Sequence, residues 1–106
     1  MKVLYASRAL RDIDDIILAY IKTRSPQGAR SVSLAIEHAI RTCALSPHAS
    51  AKTDEPGVYR RPLGRYRYTI FYRVLAGGKG IEIARVIHGA RVRNLRRMPN
   101  DPESDV

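Results

Sequence analysis

The segment from Gly64 to Arg91 constrains the fold more than any other part of the chain. Its first half, Tyr66–Leu75, consists almost wholly of aromatic, β-branched and arginine residues, a composition typical of a strand. Glycines at positions 77, 78 and 80 follow, and glycine permits the positive φ angles that tight hairpin turns need. A second strand-like segment, Ile81–His88, comes next. The sequence therefore predicts two adjacent antiparallel strands joined by a tight turn.

The N-terminal half is predicted to form a short strand followed by two amphipathic helices. Lys2–Ala6 alternates and is rich in Val, Leu and Tyr, as strands are. Ser7 is the predicted N-cap of the first helix, whose apolar residues recur at intervals of three and four: Leu10, Ile13, Ile17 and Ile21. Ser25-Pro26 predicts the start of the second helix. Its apolar stripe consists of Val32, Ile36, Ala39, Ile40 and Cys43.

Acidic and apolar residues of the first helix have separate predicted roles. Asp12, Asp14 and Asp15 lie in its first turns, where negative charge suits the positive end of the helix dipole. Ile17 belongs to the stripe expected to be buried, so Ile17→Asp would bury an unpaired charge and unfold the domain. The short link to the second helix predicts an antiparallel helical hairpin.

The remaining residues complete an α+β domain. The polar, turn-rich segment from Pro47 to Pro56 is expected to be a loop, and Val58–Leu63 a strand with Pro62 at an edge or near its end. The order of elements predicts an N-terminal strand, an antiparallel helical hairpin packed on one face of a sheet, and then a three-stranded antiparallel sheet. We expect a single domain over residues 1–99 and a polar, acidic C-terminal tail over residues 100–106.

Basic residues are concentrated in the predicted sheet. Residues 58–97 contain 11 basic residues and one acid, Glu82, whereas the first 57 residues contain 8 basic and 6 acidic residues. Ten of the 11 are arginine, which pairs with phosphate and carboxylate groups better than lysine does. The formal net charge of +9 therefore arises mainly from the sheet half and predicts a negatively charged partner.

The chain contains a single cysteine, Cys43, which excludes an internal disulfide and favours a cytoplasmic location. No apolar run approaches the ~20 residues needed to cross a bilayer. Neither a zinc-ligand spacing nor a phosphate-binding glycine motif is present, since the glycines at 77, 78 and 80 follow a strand without opening a helix. We therefore expect no metal, no cofactor and no membrane partner.

Two parts of the predicted sheet resemble one family of proteins. The strand Arg-Tyr-Thr-Ile-Phe-Tyr-Arg-Val at residues 67–74 and the ending Ile-His-Gly-Ala-Arg at residues 87–91 are similar to those of the RelE/ParE superfamily. Its members are bacterial toxins of type II toxin–antitoxin pairs. The resemblance extends from Val3 to about Pro99 and implies a RelE/ParE-like fold. It also implies a cognate antitoxin with an acidic, partly disordered segment, in a homodimeric or toxin–antitoxin hetero-oligomeric assembly.

The resemblance leaves two activities open. RelE-like members cut messenger RNA on the ribosome, and ParE-like members inhibit DNA gyrase. Aligned through residues 68–72, Thr69 occupies the strand position where RelE-like enzymes carry an arginine, although a shift of one residue would place Arg67 or Tyr68 there. Thr69 and the His-Gly-Ala-Arg ending favour a ParE-like gyrase inhibitor neutralised by its antitoxin. A RelE-like, ribosome-dependent mRNA endonuclease is the alternative, so whether the chain is an enzyme stays open.

Candidate site residues follow from both activities. Cutting RNA without a metal needs a base, an acid and cations for the phosphate charge. The catalytic candidates are His88 and Arg91, which the enzyme interpretation requires to share one concave basic site with Arg65. If the chain is not an enzyme, His88 is expected to close its strand. For Arg85 and Arg91, exposure to solvent and contact with a partner are equally expected. The candidates for binding the target or the antitoxin are Arg60, Arg61, Arg65, Arg67, Arg73 and Arg85. A third interpretation, nucleic-acid binding without catalysis, depends on charge alone.

Overall fold

The chain folds into two helices packed against a five-stranded sheet. The structure is a computed structural model that describes residues 2–23 and 25–89. Its elements are β1 (Lys2–Tyr5), α1 (Ser7–Thr23), α2 (Pro26–Leu45), β2 (Ala51–Lys52), β3 (Val58–Pro62), β4 (Tyr68–Val74), a 3₁₀ turn (Ala76–Gly78) and β5 (Gly80–His88). Within these ranges, neither helix is both long enough and apolar enough to cross a membrane. The predicted tail over residues 100–106 lies outside the described residues.

The sheet has the order β1-β5-β4-β3-β2. β3, β4 and β5 form the predicted antiparallel run, with Tyr59 opposite Tyr72 and Ile70 opposite Val86. The prediction of a three-stranded antiparallel sheet is nevertheless incomplete, because this run is part of a five-stranded mixed sheet. β1 pairs in parallel with β5, and β2, inside the predicted loop, pairs with β3 at the other edge. Parallel partners are joined by long crossovers, so no local turn pattern in the sequence indicates the pairing.

The turn between β4 and β5 requires its glycines. Gly77 and Gly78 have φ angles of 75° and 67°, the left-handed values that the predicted hairpin needs. Gly80 is required for another reason, because a Cβ atom there would collide with the backbone carbonyl of Lys2. Lys2 is its register partner. β1 can therefore lie against β5 only because residue 80 has no side chain.

Most of the buried apolar side chains lie between the helices and the sheet. Strand alternation places Tyr68 and Tyr72 of β4 on this face, as predicted, and Tyr72 is fully buried there. Tyr66 packs on the same face from the link before β4, which begins two residues later than predicted. The contribution of α2 includes the whole predicted stripe of Val32, Ile36, Ala39, Ile40 and Cys43. Its predicted start is also confirmed, with Ser25 Oγ accepting the Gly28 N–H at 3.0 Å. A smaller cluster on the opposite face of the sheet consists of Val58, Phe71, Ala84 and Ile87.

Helix α1 faces the sheet with a stripe that shares only Ile13 with the predicted one. The residues that pack into the core are Ala9, Ile13, Ile16 and Tyr20. Leu10 and Ile21 are each 50% exposed, and Ile17 is only partly buried and lies outside the core cluster. The prediction that Ile17 lies in the core is therefore wrong. The helix is apolar on two adjoining faces, and the inner face includes the fully buried Ala9.

Candidate functional site

The arginines predicted to bind a partner fall into two groups. Arg73 and Arg85 are mostly buried and lie beside carboxylates of the fold. The second group lies on β3 and on the link from β3 to β4, and consists of Arg60, Arg61, Arg65 and Arg67. All of this second group except the half-buried Arg61 are exposed. The grouping determines which guanidinium groups another molecule can reach.

Arg85 is held by Asp12 of α1. Its Nε donates to Asp12 Oδ2 at 2.8 Å and its Nη2 to Oδ1 at 3.2 Å, a bidentate arrangement. Oδ2 also accepts the backbone N–H of Val86 at 3.0 Å, beyond the part of β5 that pairs with β1. The sequence indicated a helix-dipole role for Asp12, whereas the structure shows that it fastens α1 to β5. Both charged side chains are at most 15% exposed.

Arg73 lies on the face of the sheet opposite the helices. Its register partner across β4 and β5 is Glu82. Arg73 Nη1 and Glu82 Oε1 are 3.8 Å apart, and both side chains are largely shielded from solvent. Like Arg85, Arg73 is therefore committed to a contact within the fold.

A concave site, which we call the arginine cleft, lies between the ends of the helices and the β3–β4 link. Its volume is about 580 Å³. The lining consists of Ala19, Tyr20, Thr23, Ser25, Gly28, Ser31, Arg65, Tyr66, Arg67, Tyr68 and His88. None of these described lining residues is acidic. The cleft is therefore a basic site without an internal counter-charge in its wall.

Backbone contacts position the β3–β4 link. Gly64, with a φ angle of 71°, turns the chain out of β3. The Leu63 N–H donates to the Tyr68 carbonyl at 3.0 Å and closes the link. The Arg67 carbonyl accepts the Gly89 N–H at 2.6 Å, which ties the link to the end of β5. The backbone that carries the cleft arginines is thus attached to two strands.

Aromatic contacts order the walls of the arginine cleft. The Arg65 guanidinium carbon lies 5.4 Å from the centroid of the Tyr66 ring. Tyr66 in turn meets the ring of Tyr20 edge to face, with centroids 6.3 Å apart. Tyr68 and His88 are register partners whose rings meet in the same way at 5.4 Å. Each such ring pair contributes about 0.5–1.5 kcal/mol beyond burial of its area.

The structure brings together two of the three residues that the enzyme interpretation requires. Arg65 and His88 both line the arginine cleft. Arg91 lies outside the described residues. Thr69 pairs with Pro62 and Ile87, on the sheet face opposite the helices, and supplies no cation to the cleft.

Sequence reasoning missed the part of the cleft contributed by the helices. The missed side chains are Tyr20, Thr23, Ser25 and Ser31. The N-cap pattern identified Ser25 as a helix start, but a cap gives no indication of which distant strand it faces. The position of these four side chains in the cleft depends on how the two helices lie over the sheet.

A smaller cleft of about 320 Å³ beside Arg60 and Arg61 includes Cys43 in its lining. Burial raises the pKa of the Cys43 thiol, which makes it a poor nucleophile at neutral pH. Burial also raises the pKa of Tyr72 to about 12, and the Tyr72 hydroxyl donates to the Pro47 carbonyl at 2.7 Å. Among the residues described, no three His, Cys, Asp or Glu side chains cluster closely enough to hold a metal ion.

The helices and β1 expose a second kind of surface, which we call the apolar surface. Its large side chains are at least 41% exposed and consist of Leu4, Tyr5, Leu10, Leu18, Ile21, Leu34 and Leu45. Leu10 and Ile21 share one face of α1, and Leu34 and Leu45 share one face of α2, because each pair is about three turns apart. Leu45 is 77% exposed and borders a groove shared with Tyr5 of β1.

Comparison with known proteins identifies the family. The sequence profile of the family described as "ParE toxin of type II toxin-antitoxin system, parDE" matches residues 3–93. The chain belongs to this ParE toxin family. A chain of the solved "Chromosomal ParDE TA system from P. aeruginosa" superposes with a TM-score of 0.72 and 24% identity, covering 83% of this chain and 95% of that chain. No curated protein is significantly similar in sequence.

Membership of the ParE family confirms the resemblance to RelE/ParE toxins and the preference for its ParE-like branch. The structural match shows the same α+β fold. The roles of individual arginines in a ParE toxin of this sequence stay predictions.

Proposed function

We propose that this ParE-family toxin inhibits DNA gyrase and is kept inactive by a cognate antitoxin. The proposal depends mainly on one observation: the arginines of β4 and β5 are already paired with carboxylates of the fold. Thr69 stands where RNA-cutting relatives carry an arginine, and Arg73 and Arg85 lie against Glu82 and Asp12. Within the described parts of these strands, no uncommitted cation is available to stabilise a reacting phosphodiester. An inhibitor that acts only by binding gyrase does not need such a cation.

The antitoxin is proposed to cover the apolar surface. Large apolar side chains that gather on adjoining elements mark interaction sites, whereas scattered ones do not. β1 is an edge strand, so its outer backbone groups are available to an added strand. A partly disordered antitoxin segment that folds onto the helices and this edge would bury the exposed leucines and isoleucine. Its acidic residues would pair with nearby arginines in a toxin–antitoxin hetero-oligomer.

The two arginines of β3, the exposed Arg60 and the half-buried Arg61, are proposed to contact the target. Arg60 and Arg61 are register partners of Phe71 and Ile70 in β4, and removing their side chains leaves those buried partners in place. Arg60→Ala with Arg61→Ala is therefore expected to reduce growth inhibition more than it reduces stability. Expression of the double variant beside the wild type, at matched protein levels, measures the first effect. Equal toxicity at equal expression would refute this role.

A two-arm assay tests the proposed target. The toxin is purified with its antitoxin, released, and added both to a gyrase supercoiling and cleavage reaction and to translating ribosomes. Loss of supercoiling with intact mRNA is the expected result, and the antitoxin should reverse it. Cut mRNA with normal gyrase would overturn the proposal. Both targets act in the cytoplasm, which is where we place the protein.

The mRNA endonuclease is the second candidate, because Arg65, Arg67 and His88 line one cleft. In that function the arginines would hold the phosphate and His88 would transfer a proton. The ribosome arm identifies this case, and His88→Ala should then abolish cutting while leaving ribosome binding intact. Cutting that survives His88→Ala would exclude His88 as the proton-transfer group.

A further inference from the structure

We propose that the arginine cleft binds a nucleotide through its phosphate group. The proposal goes beyond gyrase inhibition, because it requires neither gyrase nor an antitoxin, and no bond is made or broken. It depends on three properties of the cleft: uncompensated cations, hydrogen-bond donors on the facing wall, and aromatic rings between them.

The cations come from the β3–β4 link. Arg65 and Arg67 both line the cleft, and neither forms an ion pair with a carboxylate of the described residues, in contrast to Arg73 and Arg85. Like charges that line a concave space produce a stronger field than the same charges on a flat surface. A bound anion lowers the repulsion between the two guanidinium groups, whereas a neutral ligand does not. The ligand is therefore expected to be an anion.

The facing wall supplies donors. Ser25 Oγ accepts the Gly28 N–H, so within the described residues its own hydroxyl proton is available to a ligand. Ser31 of α2 lines the same wall. The dipole of this helix adds to the positive potential of the arginines. A tetrahedral phosphate group has several strong acceptor oxygens and can accept from both walls at once, whereas a planar carboxylate has only two acceptor atoms.

The rings and the size of the cleft indicate a phosphate that carries a nucleoside. A volume of about 580 Å³ exceeds the needs of a bare phosphate, and it falls in the range of about 300–1,000 Å³ typical of small-molecule sites. Tyr20, Tyr66 and Tyr68 contribute ring surface to the lining. Tyrosine rings stack on any nucleobase, because every base has an aromatic face. The preferred ligand is therefore a nucleotide with little discrimination between bases.

A titration of the full-length protein tests the proposal. Isothermal calorimetry would compare adenosine monophosphate, inorganic phosphate, adenosine, a short single-stranded oligonucleotide and an acidic peptide. We expect adenosine monophosphate to bind more tightly than either of its parts and to weaken as salt is added. Arg65→Ala and Arg67→Ala should each weaken it about tenfold, because each removes a charge-assisted contact. Arg11→Ala, which removes an exposed arginine of α1 outside the cleft, should have no effect.

Each outcome decides the proposal. Tighter binding of the oligonucleotide with the same arginine dependence supports it, with a nucleic-acid strand as the source of the phosphate. Equal binding of adenosine and adenosine monophosphate, equal weakening by Arg11→Ala, or no binding overturns it. Tighter binding of the acidic peptide also overturns it and assigns the cleft to a protein segment. Because the readout is binding, the result stands whether or not the gyrase assay succeeds.

Discussion

The arginines of β4 and β5 and those of the β3–β4 link belong to one charge-rich segment, but their surroundings are opposite. Arg85 makes a bidentate contact with Asp12 and is only 15% exposed. Arg67 is exposed and lines a cleft without an acid among its described residues. In the first region Arg85 holds α1 on the sheet and Arg73 lies against Glu82, whereas the second region presents arginine to solvent. A local density of charge therefore identifies a basic region but not the cations that a ligand can use.

The comparison predicts that changes in the contact between α1 and the sheet lower stability, and the largest loss is expected from Ile16→Asp. Ile16 is buried in the core, so the variant would contain an unpaired buried charge. We expect the free energy of unfolding to fall by about 4 kcal/mol or more, which is most of the stability of a small domain. Urea denaturation followed by circular dichroism measures the change.

Ile17→Asp is the matched control, because Ile17 is only partly buried and lies outside the core cluster. Its expected cost is about 1 kcal/mol or less. An Ile17 variant that unfolds beside a stable Ile16 variant would show that α1 packs with the stripe predicted from spacing alone.

Asp12→Ala is expected to have the next largest effect. It leaves the mostly buried Arg85 without its carboxylate and the Val86 N–H without its acceptor. Removing one partner of a buried ion pair costs about 3–5 kcal/mol, and the slight exposure of this pair reduces the expectation to about 2–3 kcal/mol. Asp14→Ala, at an exposed position of the same helix, should cost within about 0.5 kcal/mol. Equal denaturation midpoints for the two variants would remove the distinction between the two groups of arginines.

Alkaline pH is expected to destabilise the core more gradually. Burial raises the pKa of Tyr72 from 10.0 to about 12 in the folded state, so the unfolded chain loses this proton first as the pH rises. The stabilisation is complete below about pH 10 and is lost between about pH 10 and 12. The raised pKa of Cys43 acts in the same direction. Tyr72→Phe should flatten this part of the stability–pH curve, and an unchanged slope would contradict the assignment to Tyr72.

The smallest effect on stability is expected from Arg65→Ala and Arg67→Ala. Both side chains are exposed, and the one described contact is the position of Arg65 over Tyr66. Each variant should keep its free energy of unfolding within about 1 kcal/mol of the wild type while losing nucleotide affinity. Thermal denaturation recorded on the samples used for titration provides the comparison. A loss as large as that of Asp12→Ala would place these arginines among the structural ones.

The elements that the sequence predicted well are those defined by neighbouring residues. Gly77 and Gly78 adopt the left-handed angles that a tight turn requires, and Tyr68 and Tyr72 share one face because a strand alternates. The stripe of α2 was also predicted, since that helix is apolar on one face. α1 is apolar on two faces, and the choice between them depends on contact with the sheet, which spacing does not determine.

The site was only partly predictable for the same reason. Arg65 and His88 line one cleft, as the enzyme interpretation required, because β3, β4 and β5 are consecutive in the sheet. The commitment of Arg85 could not be predicted, because its partner Asp12 is distant in the chain and had a sufficient local explanation as a helix-dipole residue. Whether a ligand can reach an arginine depends on the tertiary contacts of that arginine. A count of charges along the sequence does not reveal these contacts.

The pairing of β1 with β5 also has a consequence during synthesis. Lys2–Tyr5 leaves the ribosome early, but its partners, Gly80–Ile83, are among the last described residues to be made. Contacts between such distant residues form late and slow folding. The first strand of the toxin therefore stays unpaired, and its core incomplete, until β5 has been made.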